Sequence, residues 1–174
     1  MSIRTKYEHE LAEVFNKLIA MCHMTENAIE KSVRALKTRD DDLAREVMAG
    51  DKNVDHAERE IEQDCLKILL MEHPVAGDFR DVSAALKMIT DLERIGDQAS
   101  DIAEISLQFK GEEFIKEPEH IEMMAKIVSA MVKDGVTSYI NRDLELAKGL
   151  DKRDDRVDEL FETVKSDLVE LIKQ

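Results

Sequence analysis

Apolar residues recur at intervals of three and four almost from the start of the chain. Leu11, Val14, Phe15, Leu18, Ile19, Cys22, Ile29, Val33 and Leu36 fall on one stripe at 100° per residue, which predicts an amphipathic helix from about residue 5 to 37. The polar run TRDDD at 38–42 interrupts it. A second stripe runs through Leu43, Val47, Val54, Ile61, Cys65, Ile68 and Leu69 and stops before Pro74, because the residue ahead of a proline is pushed out of helical geometry. A third carries Phe79, Val82, Ala85, Leu86, Ile89, Leu92, Gly96, Ala99 and Ala103 and fades at Lys110-Gly111. Three helices with short connections predict an antiparallel bundle over residues 1–110. Residues 111–118, GEEFIKEP, read as a linker.

Beyond the linker the pattern repeats. A gapless shift of 103 residues lays LAREVMAGDKNVD at 43–55 on LAKGLDKRDDRVD at 146–158. Arg39-Asp40 then falls on Arg142-Asp143, Asp51 on Asp154, and Val54-Asp55 on Val157-Asp158. Coincident turn residues across the alignment exceed what shared amphipathicity explains, so the chain reads as a duplication. Gln174 corresponds to Met71, so the second unit, residues 119–174, is expected to hold two helices of three. The fold class expected is all-α, with tandem three-helix, spectrin-repeat-like antiparallel bundles, the second incomplete. Two long antiparallel helices leave an apolar groove, which predicts either a shortened chain or an edge filled by another subunit.

Composition agrees with helices. The 174 residues include 2 prolines, 6 glycines and no tryptophan, and 43% are hydrophobic against 37% charged. A net charge of −14 argues against a nucleic-acid partner, which needs clustered cations. Cys22 and Cys65 sit on apolar stripes and are expected as buried free thiols, in keeping with a reducing cytosol. The opening MSIRTKYEHE lacks the apolar run of a signal peptide, and no stretch approaches a membrane span. A soluble, cytoplasmic protein is expected, meeting membranes only indirectly.

The candidate chemistry lies in carboxylates. Asp51, Asp55, Glu58 and Glu62 follow i, i+4, i+7, i+11 on the second helix, and Glu93, Asp97, Asp101 and Glu104 do the same on the third. Both stripes flank the apolar face, so neighbouring helices would bring them together along a seam. Like charges at that spacing repel, and a cation would reverse the sign. All-oxygen sites favour Mg²⁺, Mn²⁺ or Ca²⁺, and iron is compatible; zinc asks for Cys or His, with His56 the one imidazole near the seam. The same stripes also fit a merely solvated surface. Gly96, on the apolar side, reads as a point of close helix packing. A di-iron oxidase needs two Glu-x-x-His motifs, and Glu117-Pro-Glu-His120 beside a proline is the one instance. No phosphate loop or nucleophile elbow is present, so no catalytic residues are assigned.

PVAGDFRDVSAALKMITDLERIGDQASDIAE at 74–104 resembles the PhoU family of bacterial phosphate-signalling proteins. The motifs are Asp78-Phe79-Arg80 after a proline, Asp-Leu-Glu-Arg-Ile-Gly-Asp at 91–97, and the recurrent Asp-x-x-Val-Asp at 51–55. The resemblance implies a cytosolic, non-enzymatic, dimeric negative regulator of phosphate uptake and phosphate-starvation signalling. It implies partners in a phosphate ABC transporter ATPase and a sensor histidine kinase. It further implies metal (iron, zinc, magnesium or manganese) on E/D-x-x-x-D motifs. Those motifs here are Glu93 with Asp97, Asp51 with Asp55, and Asp154 with Asp158; Asp101 stands where the family often has Asn. Asp78 and Arg80 are read as caps of the third helix and pins of its turn. An accessory regulator of a different phosphate transporter is the alternative role.

Overall fold

The computed structural model describes residues 3–109 and 114–173. Five long helices follow one another: α1 (Ile3–Thr38), α2 (Asp41–Met71), α3 (Gly77–Ser106), α4 (Glu119–Asn141) and α5 (Leu144–Ile172). A single 3₁₀ turn, Leu107–Phe109, ends α3, so the α-helix stops short of the predicted Lys110-Gly111, and those two residues lie outside the described ones. Of the expected linker, 111–113 also lie outside them, and 114–118 carry no helix. No strand occurs among the described residues.

The two α-to-α turns related by the 103-residue shift are the same turn. Arg39 and Arg142 both sit at φ 55°, the left-handed position that ends a helix. The next N–H, of Asp40 or Asp143, donates back to the carbonyl of Ala35 or Ser138 at 3.0 and 2.8 Å. Each aspartate then caps the following helix: its carboxylate accepts from the Leu43 or Leu146 N–H at 2.9 Å. Arginine in the left-handed region costs about 1 kcal/mol, which the aspartate cap offsets by a similar amount.

The α2–α3 turn is built otherwise. His73 and Ala76 both adopt φ 49°, and Ala76 precedes α3 without a side-chain cap. Asp78 therefore does not cap α3, contrary to expectation; its carbonyl accepts from the Tyr7 hydroxyl at 3.1 Å. Phe79, in the first turn of α3, also departs from the predicted core, being 51% exposed. Ile19, assigned to the first stripe, lies at its edge and is exposed.

The remaining stripe residues behave as predicted. Val14, Leu18 and Met21 of α1, Ile61, Cys65 and Ile68 of α2, and Val82, Ala85 and Ile89 of α3 form one buried core. Burial of each large aliphatic side chain contributes roughly 1.5–3 kcal/mol. Both cysteines are free and buried, and loss of solvent pushes each thiol up to about 11. That keeps them protonated and unreactive.

Helix α4 lies along α1, an arrangement the sequence pattern did not predict. Val132, Val136, Tyr139 and Ile140 extend the same core. Tyr139 meets Phe15 edge to face at 5.5 Å, and its hydroxyl donates to the Asp81 carbonyl. Arg142 closes the joint with a 2.6 Å bond to the Asp81 carboxylate. Helix α5 packs chiefly on α4, and Leu160 alone of its residues is buried. No helix among the described residues is long and apolar enough to cross a membrane.

Candidate metal site at the seam of α2 and α3

Gly96 sets the spacing of this seam. A Cβ on it would stand 3.2 Å from Val54 Cγ1, tighter than ordinary contact, so hydrogen at this position lets α3 close onto α2. Val54 lies between Asp51 and Asp55, and Gly96 precedes Asp97. The close approach therefore falls at the level of those carboxylates. Oxygens of Asp51, Asp55 and Asp97 lie within 4.8 Å of one another, with Asp51 and Asp55 half-buried and Asp97 exposed.

Glu93 stands one turn from Asp97 on the same face. Its carboxyl is pushed up by desolvation first, and then by the charges of Asp97, Glu58, Asp55 and Asp51. Asp51 is raised for the same reasons: partial burial, then Asp97, Asp55 and Asp101. Two helices are thus held together across a concentration of negative charge. Arg59 relieves only Asp55, at 3.6 Å along its own helix. Thr90 reaches Glu58 Oε1 at 3.4 Å, the polar edge of the seam.

The seam brings together five of the seven predicted residues in two tiers. Asp51, Asp55 and Asp97 share a ligand-sized space, Glu93 adjoins them, and Asp101 contributes its charge to Asp51 from an exposed position outside the triad. Asp154 and Asp158 behave differently. Both are exposed on α5, and no third ligand group joins them among the described residues. The reason is geometric: α2 has α3 alongside it, whereas among the described residues α5 packs chiefly on α4. His56 is exposed, and its ring nitrogen lies 3.9 Å from Glu60, off the triad. Beside the seam opens a cavity of about 630 Å³ lined by Met24, Asn27, Lys31, Asp51, His56 and Gly96, which sequence reasoning did not find.

A donor set of carboxylates alone, on two rigid helices, suits a hard or borderline cation. Comparison with known proteins supplies the decisive context. The family model described as PhoU domain matches residues 18–106 and, a second time, 121–174. The chain belongs to the PhoU family. The two matches begin at the same offset that aligns the halves of the sequence. A phosphate-specific transport system accessory protein PhoU homolog of Aquifex aeolicus is 38% identical over 160 residues, covering 92% of this chain and 72% of its own length. The accessory protein PhoU of Escherichia coli is 28% identical over 162 residues, covering 93% and 67%. PhoU from Pseudomonas aeruginosa superimposes with a TM-score of 0.91 at 30% identity, over 96% of this chain and 80% of that one. The regulatory protein PhoU of Streptococcus pneumoniae shares the fold, at TM-score 0.88 and 23% identity over 96% and 79% of the two chains.

Proposed function

We propose that this PhoU-family chain is a regulator of phosphate transport, acting through protein contacts rather than catalysis. It restrains phosphate uptake and phosphate-starvation signalling by contacting a phosphate ABC transporter ATPase and a sensor histidine kinase. Relatives named as accessory proteins of a phosphate-specific transport system support the coarser role. The metal-binding part of the reading rests on the convergence of Asp51, Asp55 and Asp97 within 4.8 Å.

Asp51, Asp55, Asp97 and Glu93 would hold the metal ion, with Asp101 at the margin. An ion there supplies positive charge that cancels the repulsion between α2 and α3. Iron, zinc, magnesium and manganese all accept carboxylate oxygen, and a triad made of carboxylates alone favours the harder ions. On α5, Asp154 and Asp158 form a poorer pair for the same chemistry. With the ion in place the seam presents a neutralised, ordered face to a partner, and without it a repulsive one.

Elemental analysis of protein purified without added metal tests the site. Glu93→Ala with Asp97→Ala is expected to remove most bound metal while helix content by circular dichroism stays unchanged. Asp154→Ala with Asp158→Ala is expected to leave the seam metal in place. Unaltered stoichiometry in the first double variant would overturn the metal assignment. Loss of ATPase or kinase capture in that same variant tests whether the partner face depends on the seam.

A further inference from the structure

We propose that the flank shared by α2 and α3 docks one helix of another protein, with an apolar stripe at one end and Lys or Arg at the other. The acidic seam is one half of that flank. Val54 meets Gly96 and Thr90 reaches Glu58, an antiparallel register that carries Leu70 of α2 to the level of Phe79 of α3. Phe79 lies about five full turns from Asp97, so both side chains leave α3 in the same direction. On α2, Leu66 follows Glu62 by about one turn, and Leu70 follows Leu66 by about another. Toward the α2–α3 turn the same two faces thus change from acidic to apolar.

Leu66, Leu70 and Phe79 are 45%, 71% and 51% exposed, a strip of large apolar side chains on one side of the first unit. Leu69 and Leu86, on the inner edge of the same faces, are half-buried against the core and form its floor. Contiguous exposed apolar surface bordered by charge marks an interaction face. From Asp51 to Leu70 the flank runs about 28 Å, which a helix of about 19 residues spans. A groove between two packed helices receives such a helix through anchors three and four residues apart.

Charge decides the occupant. Arg59 pairs with Asp55, but among the described residues no ion pair reaches Glu58, Glu62, Glu93 or Asp97. Cations from outside the chain balance these carboxylates, and a partner that also covers Leu70 and Phe79 gains at both ends. An anionic bilayer fits the apolar half but is repelled by the acidic one. A second copy of the flank sets carboxylates on carboxylates in one direction and carboxylates on leucines in the other. A helix that is apolar at one end and basic at the other matches both halves. Metal and that basic end are alternative counter-ions for the seam, so a loaded seam holds the helix less tightly. This competition alone rests on the metal reading; the docking stands on the strip and its charge.

Fluorescence anisotropy with a labelled synthetic peptide and the metal-free 174-residue chain tests the proposal. The probe is a helical peptide of about 19 residues, with Leu at three-four spacing along one half and Lys on the same face of the other. Binding is expected with a dissociation constant on the order of 10 µM, and a peptide with Glu in place of Lys is expected to bind at least about tenfold more weakly. Phe79→Glu and Leu70→Glu are each expected to raise the constant at least about tenfold. Glu58→Gln with Glu62→Gln is expected to raise it about fivefold and to make it less sensitive to salt. Circular dichroism checks that each variant keeps its helix content. Saturating Mn²⁺ is expected to weaken binding at least about threefold. No effect of Mn²⁺, with the strip variants behaving as expected, would overturn the metal reading and not the docking. Peptide binding indifferent to Phe79→Glu and Leu70→Glu overturns the docking, as does a Glu peptide that binds as well as the Lys one. So does cosedimentation with phosphatidylglycerol vesicles that Phe79→Glu abolishes, which would give the strip to a membrane.

Discussion

Helices α2 and α5 begin identically and end in different surroundings. Each starts after a left-handed arginine, each is capped by an aspartate on the N–H three residues on, and each carries an Asp-x-x-Val-Asp segment about three turns later. On α2 the valine of that segment meets Gly96 and the aspartates meet Asp97. On α5 both aspartates are exposed, and among the described residues no third helix packs beside the same three residues. Local sequence thus fixes how a helix starts, whereas its chemistry depends on what is packed beside it. An acidic motif becomes a candidate ligand set only when a second helix is drawn in close.

The largest test of that contrast is a pair of truncations at equivalent positions. Ile61→Ala is expected to cost about 3 kcal/mol, and Val164→Ala less than about 1 kcal/mol at monomeric concentrations, because only the first leaves a cavity in a closed core. Urea unfolding followed by circular dichroism measures both. Equal costs would mean that α5 is covered as fully as α2.

A pair of glycines sharpens the comparison. Gly96→Leu is expected to destabilise by about 2–3 kcal/mol, since its Cβ alone would press on Val54 and the rest of the side chain has nowhere to go. Gly149→Ala on α5 meets nothing within 4 Å and is expected to stabilise by up to about 1 kcal/mol through helix propensity. Thermal melts of the two variants, shifted in opposite directions, would locate the close approach at the first seam alone.

The smallest effect is a pH dependence. Asp51 and Glu93 hold their protons more tightly in the folded chain than their ordinary values of 3.8 and 4.5. As pH rises from 3.8, the unfolded chain releases these protons first, so metal-free stability falls until the folded carboxyls have ionised. Their contribution is thus most favourable at the acid end of that window. Asp97→Asn removes a charge that both feel, so it is expected to flatten the profile of melting temperature against pH. Metal reverses the trend, because binding needs the ionised carboxylates.

Much of this was legible in the chain. The stripes located three helices of the first unit to within a few residues, since a strict three-four spacing of Val, Leu and Ile leaves little freedom. Burial of Cys22 and Cys65 followed from their place on those stripes. A meeting of carboxylates from α2 and α3 was expected from their four-residue spacing on the flanks of two neighbouring stripes, but the level at which Gly96 brings them together was visible only in the structure. Other features needed three dimensions. The stripe of α4 serves α1 as well as α5, and nothing in its spacing says which helix lies across it. Phe79 keeps the stripe's period yet is exposed in the first turn of α3, because periodicity carries no information about depth. Asp78 has a capping residue's chemistry, but the left-handed Ala76 ahead of it places the helix start elsewhere. Asp154 and Asp158 repeat a motif whose meaning depends on what packs beside it.

One consequence of the α1–α3–α4 joint is spectroscopic. The chain has no tryptophan and just two tyrosines. Tyr7 of α1 donates to the carbonyl of Asp78, and Tyr139 of α4 donates to that of Asp81. Both phenols are thus anchored to the first turns of α3. Near-ultraviolet absorbance and fluorescence of the native protein consequently report on one small region, the docking of that helix start against its neighbours. Burial and the nearby Asp81 charge also make Tyr139 resist ionisation. Tyrosinate absorbance from that ring in strong base would therefore signal release of α4 from the first unit, without any label added to the chain.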